Sequence, residues 1–117
     1  MTDRDPNRKP AMPWIESAKL DDLPGGSARE FTHEGRVYAL FRIGDEITCI
    51  DGLCPHQAGR LAQGPLSGST VTCPRIGCLR WSFDVLSGSC SIHESLKRRL
   101  YPVRVEGRSV LVALPEV

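Results

Sequence analysis

The sequence predicts an all-β fold with cysteine-bearing loops at one end, and three observations lead there. Short runs rich in β-branched and aromatic residues recur along the chain, bounded by glycine-containing turns. Eleven glycines and nine prolines in 117 residues, against three Phe, two Tyr and two Trp, favour turns and short strands over long helices. Two irregular stretches open with Cys-Pro, at Cys54-Pro55 and Cys73-Pro74, and each follows a strand-like run. The length fits one domain, and a 40% hydrophobic content is enough for a modest core.

Residues 1–13 read as a frayed tail of charges, Asn7 and three prolines, which leaves a single domain over 14–117. Trp14 and Ile15 begin the ordered part, and Asp21-Asp22-Leu23-Pro24-Gly25-Gly26 is a turn-rich link. Glu30-Phe31-Thr32 leads into the turn His33-Glu34-Gly35, and Val37-Tyr38-Ala39-Leu40-Phe41-Arg42-Ile43 reads as the returning strand. Gly44-Asp45 turns the chain into Glu46-Ile47-Thr48-Cys49-Ile50, which alternates polar and apolar. Residues 51–69 are irregular, Thr70-Val71-Thr72 is a short strand, and residues 73–80 form a second irregular stretch. Trp81-Ser82-Phe83-Asp84-Val85 resumes the strand pattern before the Leu86-Ser87-Gly88 turn and a third loop over 89–95. Tyr101-Pro102-Val103-Arg104-Val105 and Ser109-Val110-Leu111-Val112-Ala113-Leu114, joined through Glu106-Gly107-Arg108, form a terminal hairpin. The pattern admits a short helix at 17–23 or 95–100 without requiring one.

A net charge of +1 points to neither nucleic acid nor an anionic membrane as a partner. No apolar run approaches a membrane span and no export-type apolar segment follows the start, so a cytoplasmic protein is expected. In that reducing compartment five cysteines do not read as a disulfide framework, and an odd number cannot all pair internally. Ligation of metal or a cluster is the leading explanation for some of them.

The chemistry lies in Cys54-Pro55-His56 and, beyond residues 57–72, Cys73-Pro74-Arg75-Ile76-Gly77-Cys78. Thiolate and imidazole are ligands that iron–sulfur clusters and zinc both accept. Cys54 and His56, two apart in an extended loop, can reach different atoms of one small cluster, whereas zinc fingers more often space paired ligands further apart. Further motifs flank the two loops: Leu61, Gly64 and Leu66, then Val71-Thr72, Trp81-Ser82-Phe83-Asp84, Ser87-Gly88, Cys90, and Tyr101-Pro102-Val103-Arg104-Val105. With these, the chain resembles the Rieske ferredoxins over residues 14–114.

The resemblance implies a Rieske-like antiparallel β-sandwich, with a small cluster-binding subdomain formed by the two Cys-led loops over about 51–84. It implies a [2Fe–2S] cluster in which Cys54 and Cys73 hold the inner iron and His56 the outer one, nearer solvent. It also implies an electron carrier, not an enzyme, passing one electron from a reductase to a terminal enzyme such as an oxygenase. High-potential respiratory relatives carry an extra cysteine in each loop. The corresponding places here are Gly59 and Arg75, which points to the soluble ferredoxin branch.

The second loop departs from the family pattern, Cys-x-x-His-Gly. Counting forward from Cys73 places the second histidine at Ile76, still followed by Gly77. Counting back from Trp81 places histidine and glycine at Leu79 and Arg80, so the loop is longer as well as altered. Isoleucine has no donor atom. Cys78, between the two counts, is the leading fourth ligand, giving a three-cysteine, one-histidine cluster, with His93 of the third loop as its rival. Two further readings are a cluster-less subunit like the small subunit of nitrite reductase, and a zinc-stabilised interaction module using Cys54, His56, Cys73 and Cys78. A third thiolate adds negative charge, so the potential should fall below the Rieske range of about −150 to +300 mV, toward the about −400 mV of all-cysteine ferredoxins.

Other residues read as structural. Cys49 is expected in core packing, Cys90 in a non-ligand structural position, and His33 in a solvated turn. Trp81 is read as either a hydrophobic cover near the cluster end or ordinary strand packing. Lys97-Arg98-Arg99 is read as a wetted edge, with docking to an acidic redox partner as the functional alternative.

Overall fold

The computed structural model describes residues 14–56, 58–74 and 81–114. The strands are β1 (Trp14–Lys19), β2 (Ala28–His33), β3 (Arg36–Ile43), β4 (Glu46–Asp51), β5 (Leu66–Ser67), β6 (Thr70–Thr72), β7 (Ser82–Asp84), β8 (Leu100–Tyr101), β9 (Val103–Glu106) and β10 (Ser109–Ala113). They pair antiparallel in three sheets, ordered β1-β10-β9, β2-β3-β4-β8 and β5-β6-β7. The helical pieces among the described residues are single 3-10 turns at Leu20–Asp22, Leu61–Gln63 and Glu94–Leu96. None is long and apolar enough to cross a membrane. The expected tail over 1–13 lies outside the described residues.

The four-stranded sheet is the middle layer, and β3 shows why. Tyr38 and Leu40 enter one apolar cluster with Ala18, Val110 and Val112 of the terminal sheet. Ala39 and Phe41 enter another with Leu61, Val71 and Phe83 on the opposite face. Successive side chains point to opposite faces of a strand, so a strand covered on both sides reads as an unbroken apolar run. Strand β4 divides likewise, Cys49 to one cluster and Ile50 to the other. The polar–apolar alternation expected there is lost, because Thr48 is buried as well.

Three segments differ from the sequence expectation. Residues 14–19 form a full strand paired with β10, from Trp14 opposite Ala113 to Lys19 opposite Ser109, and the helix admitted at 17–23 shrinks to one 3-10 turn. The segment 101–105 divides at Pro102: β8 joins the middle sheet while β9 joins the terminal one. Proline has no N–H for a ladder, and here its carbonyl accepts from Ala113 N instead (3.0 Å), at the point where the chain changes sheets. The two-residue strand β5 is too short to show a period, yet it pairs with β6 through Leu66 and Val71.

Two close backbone approaches lock the small sheet and the third loop in place. A Cβ at Gly64 would lie 1.9 Å from the carbonyl oxygen of Thr72, the residue before Cys73. At Gly88 (φ +82°) it would lie 2.2 Å from the carbonyl oxygen of Arg98. A clash with backbone has no rotamer escape, so Gly64→Ala should lower stability by about 2 kcal/mol or more. Gly107→Ala, at φ +61° in open space, should cost only about 1 kcal/mol of left-handed backbone strain. Urea unfolding of the two variants checks the ranking; equal losses would contradict it.

Candidate metal centre

The first loop leaves β4 at Asp51 and closes on itself. Gly52 N donates to Val37 O (2.9 Å), and a Cβ on Gly52 would sit 2.8 Å from the Val37 side chain, so only glycine brings the chain this close to β3. Cys54 N then donates to Gly59 O (2.9 Å), and Cys54 O accepts from Ala58 N (2.8 Å). Ala58 is held at φ +57°, a left-handed conformation unusual for a residue with a Cβ, as the turn requires. The result buries Cys54 to 2% exposure while Pro55 and His56 stay exposed.

The second loop leaves β6. Cys73, 6% exposed, donates its N–H to Trp81 O (2.9 Å), which closes the loop at its neck, and Pro74 is exposed. Ile76 and Cys78 lie outside the described residues. The Trp81 indole stacks on the His56 imidazole, with ring centroids 4.4 Å apart and planes 12° apart. Of the two readings of Trp81, cover or packing, the structure has something of each: the indole lies over His56 and also packs on the apolar cluster below.

Cys54 and Cys73 belong to one apolar cluster with Leu61, Val71, Phe83 and Cys90. Cys90 is buried and bridges to Phe83, and Cys49 is fully buried in the other cluster, both in packing positions. His33 ends β2 beside the Glu34-Gly35 turn and is half-buried. His93 is exposed and caps a 3-10 turn: its Nδ1 accepts from Ser95 N (3.1 Å) and lies 2.8 Å from Ser95 Oγ. Among the described residues no three Cys, His, Asp or Glu side chains form a group that could hold one metal ion. Two buried thiols with an imidazole at the surface instead suit a binuclear group whose ligands are divided between an inner and an outer iron.

Behind the first loop is a polar knot that the sequence did not reveal. Tyr101 OH donates to Asp51 Oδ1 (2.6 Å), and Arg98 Nη1 donates to Leu53 O (3.2 Å) and lies 3.9 Å from Asp51 Oδ2. Arg98 is therefore not part of a wetted edge. Lys97 faces solvent, Arg98 turns inward to the residue before Cys54, and the Arg99 guanidinium lies over the Tyr101 ring at 5.3 Å. The signal that could have found this is the two-residue period of an extended chain, which places the middle residue of the run opposite its neighbours.

A fold and a site of this kind define an all-β protein in which two loops bring their cysteines into one apolar cluster. Residues 13–112 match the family described as the Rieske [2Fe-2S] domain, and the chain belongs to that family. Its cofactor is accordingly a [2Fe–2S] cluster. The chain is 35% identical over 104 residues to the ferredoxin component of a naphthalene 1,2-dioxygenase system from Pseudomonas aeruginosa, covering 86% of this chain and 95% of that one. Among solved structures it resembles the ferredoxin of carbazole 1,9a-dioxygenase from Nocardioides aromaticivorans IC177 (TM-score 0.75, 31% identity, 86% and 96% covered). It also resembles a chain in a complex of reduced oxygenase and oxidized ferredoxin in carbazole 1,9a-dioxygenase (TM-score 0.76, 26% identity, 86% and 92% covered). The protein is an electron carrier rather than an enzyme.

Burial and the nearby Asp51 charge push the Cys49 thiol up. Burial, the hydrogen bond to Asp51 and the Asp51 charge push the Tyr101 phenol up. An acid whose pKa is raised by folding adds stability that is complete below its unfolded pKa and is lost as pH rises above it. Stability should therefore hold to about pH 8, fall as unfolded cysteine ionises near about 8.5, and fall more steeply beyond about 10, where unfolded tyrosine ionises. Cys49→Ala should remove the first fall and Tyr101→Phe the second, as read by urea midpoints from pH 7 to 11. Unchanged profiles in both variants would contradict the assignment.

Proposed function

We propose that this chain is a soluble, cytoplasmic ferredoxin that carries one electron from a reductase to a terminal oxygenase. Its cluster is held by Cys54, Cys73, Cys78 and His56. The observation that carries the reading is the graded site: Cys54 and Cys73 buried together in one apolar cluster, with His56 exposed at its mouth. When bound, the [2Fe–2S] group supplies a one-electron redox site. Cys54 and Cys73 anchor it on the protein side, and His56 sets which end of the molecule a partner must approach. Pro55 and Pro74 flank that end as exposed, uncharged surface. We take residues of about 51–84 as the cluster-binding part of a single domain over 14–117.

Three observations support Cys78 as the fourth ligand. The hydrogen bond from Cys73 to Trp81 closes a loop over residues 74–80, and in that stretch Cys78 is the only side chain of a ligating type. The second is Ile76, which cannot take the role. The third is His93, which is exposed and lies outside the apolar cluster that holds Cys54 and Cys73. The likeness to ferredoxin components of dioxygenase systems supports the reductase and oxygenase as partners.

The test is iron, acid-labile sulfide and visible absorbance of anaerobically purified protein, alongside Cys78→Ala and His93→Ala. The wild type should be coloured, with iron and sulfide in equal amounts. Cys78→Ala should lose most of both, and His93→Ala should keep them. Colourless, iron-free wild type that stays folded would defeat the carrier reading, and a reversed order of the variants would move the fourth ligand to His93.

A further inference from the structure

His56 is the exposed member of the site, two residues beyond a buried cysteine. An imidazole on a surface turn has several staggered orientations open to it, and a ligand needs one. Among the described residues, the first loop's hydrogen bonds engage its backbone at Cys54, Ala58 and Gly59. Trp81 belongs to the other loop. Its carbonyl takes the Cys73 N–H, and its half-buried side chain packs against the apolar cluster that contains both Cys54 and Cys73. The indole is thus anchored to the same core as the thiols and lies nearly parallel to the imidazole, 4.4 Å from it, in a favourable stacked arrangement.

We infer that Trp81 is a positioning residue that clamps the His56 ring in its ligating orientation before the cluster is assembled, so that the second loop orients the ligand of the first. The inference rests on His56 being a cluster ligand. One face of the imidazole is covered by the indole, which leaves its edges, where the nitrogens are, to meet a metal. The clamp also shields the outer side of the site from water on the face that Trp81 covers. Trp81 precedes β7 and is not itself a strand residue, so its loss should loosen the imidazole while leaving the sheets intact.

Two substitutions separate the ring from its bulk. Trp81→Phe keeps an aromatic face, and Trp81→Leu keeps apolar volume without one. Holoprotein is followed for bleaching of its visible bands in excess chelator, for the nitrogen hyperfine coupling of the reduced cluster by pulsed EPR, and for its thermal midpoint. Trp81→Leu should bleach about 3- to 10-fold faster, the size of a lost aromatic stack, and should show a broadened nitrogen coupling. Trp81→Phe should stay within about twofold of wild type. If both variants bleach at the wild-type rate with unchanged coupling, or if both bleach equally fast, the clamp is wrong. His56→Ala is the companion arm: a nitrogen coupling that survives it overturns the ligand assignment itself. Loss of coupling there, with Trp81→Leu unchanged, overturns the clamp alone.

Discussion

Everything in this molecule that bears on function depends on bringing two thiols from separate loops into one apolar cluster. Each cysteine is fixed first by its own loop, Cys54 through its bonds to Gly59 and Ala58, and Cys73 through its bond to Trp81. Those bonds set the local shape of each loop but say nothing about the distance between the loops. That distance is set by packing: Leu61 from the connector, Val71 from β6 and Phe83 from β7 fill the space against Ala39 and Phe41. Gly64 lets the connector lie directly on the carbonyl of Thr72. The site is thus an outcome of core packing, and a methyl group at Gly64 would disturb it as surely as a ligand change.

The middle sheet transmits that order. Because β3 and β4 are buried on both faces, the cluster beneath the site and the cluster under the terminal sheet share the same backbone. Asp51, at the end of β4, links the two sides. It receives Tyr101 from β8 and lies beside Arg98, which in turn holds the carbonyl of Leu53, just before Cys54. Gly88 admits Arg98 by leaving room for its carbonyl, so the third loop braces the first.

Much of this was legible in the sequence. The strands of the middle sheet and the terminal hairpin follow from β-branched and aromatic runs between glycine turns, and Cys54, His56 and Cys73 stand out by their spacing and their prolines. Strand β1 did not, because its pattern has meaning only opposite β10, at the far end of the chain. The break at Pro102 was hidden by apolar residues on both sides of it. The period of an extended chain could have turned Arg98 inward, and Trp81 was legible as a cover, but the partners of both, Leu53 and His56, lie in a different loop and are set by the tertiary fold. Cys78 lies outside the described residues, and the argument for it is one of sequence.

A three-thiolate site differs from an ordinary Rieske centre in charge more than in shape. Extra negative charge on the ligands disfavours adding an electron, while the burial of Cys54 and Cys73 limits how far water can screen it. The midpoint potential of the purified protein, taken by EPR-monitored titration at pH 7, therefore bears most directly on the ligand set. A value clearly below about −150 mV is the result expected of three cysteines and one histidine, and a value within the Rieske range of about −150 to +300 mV would contradict it.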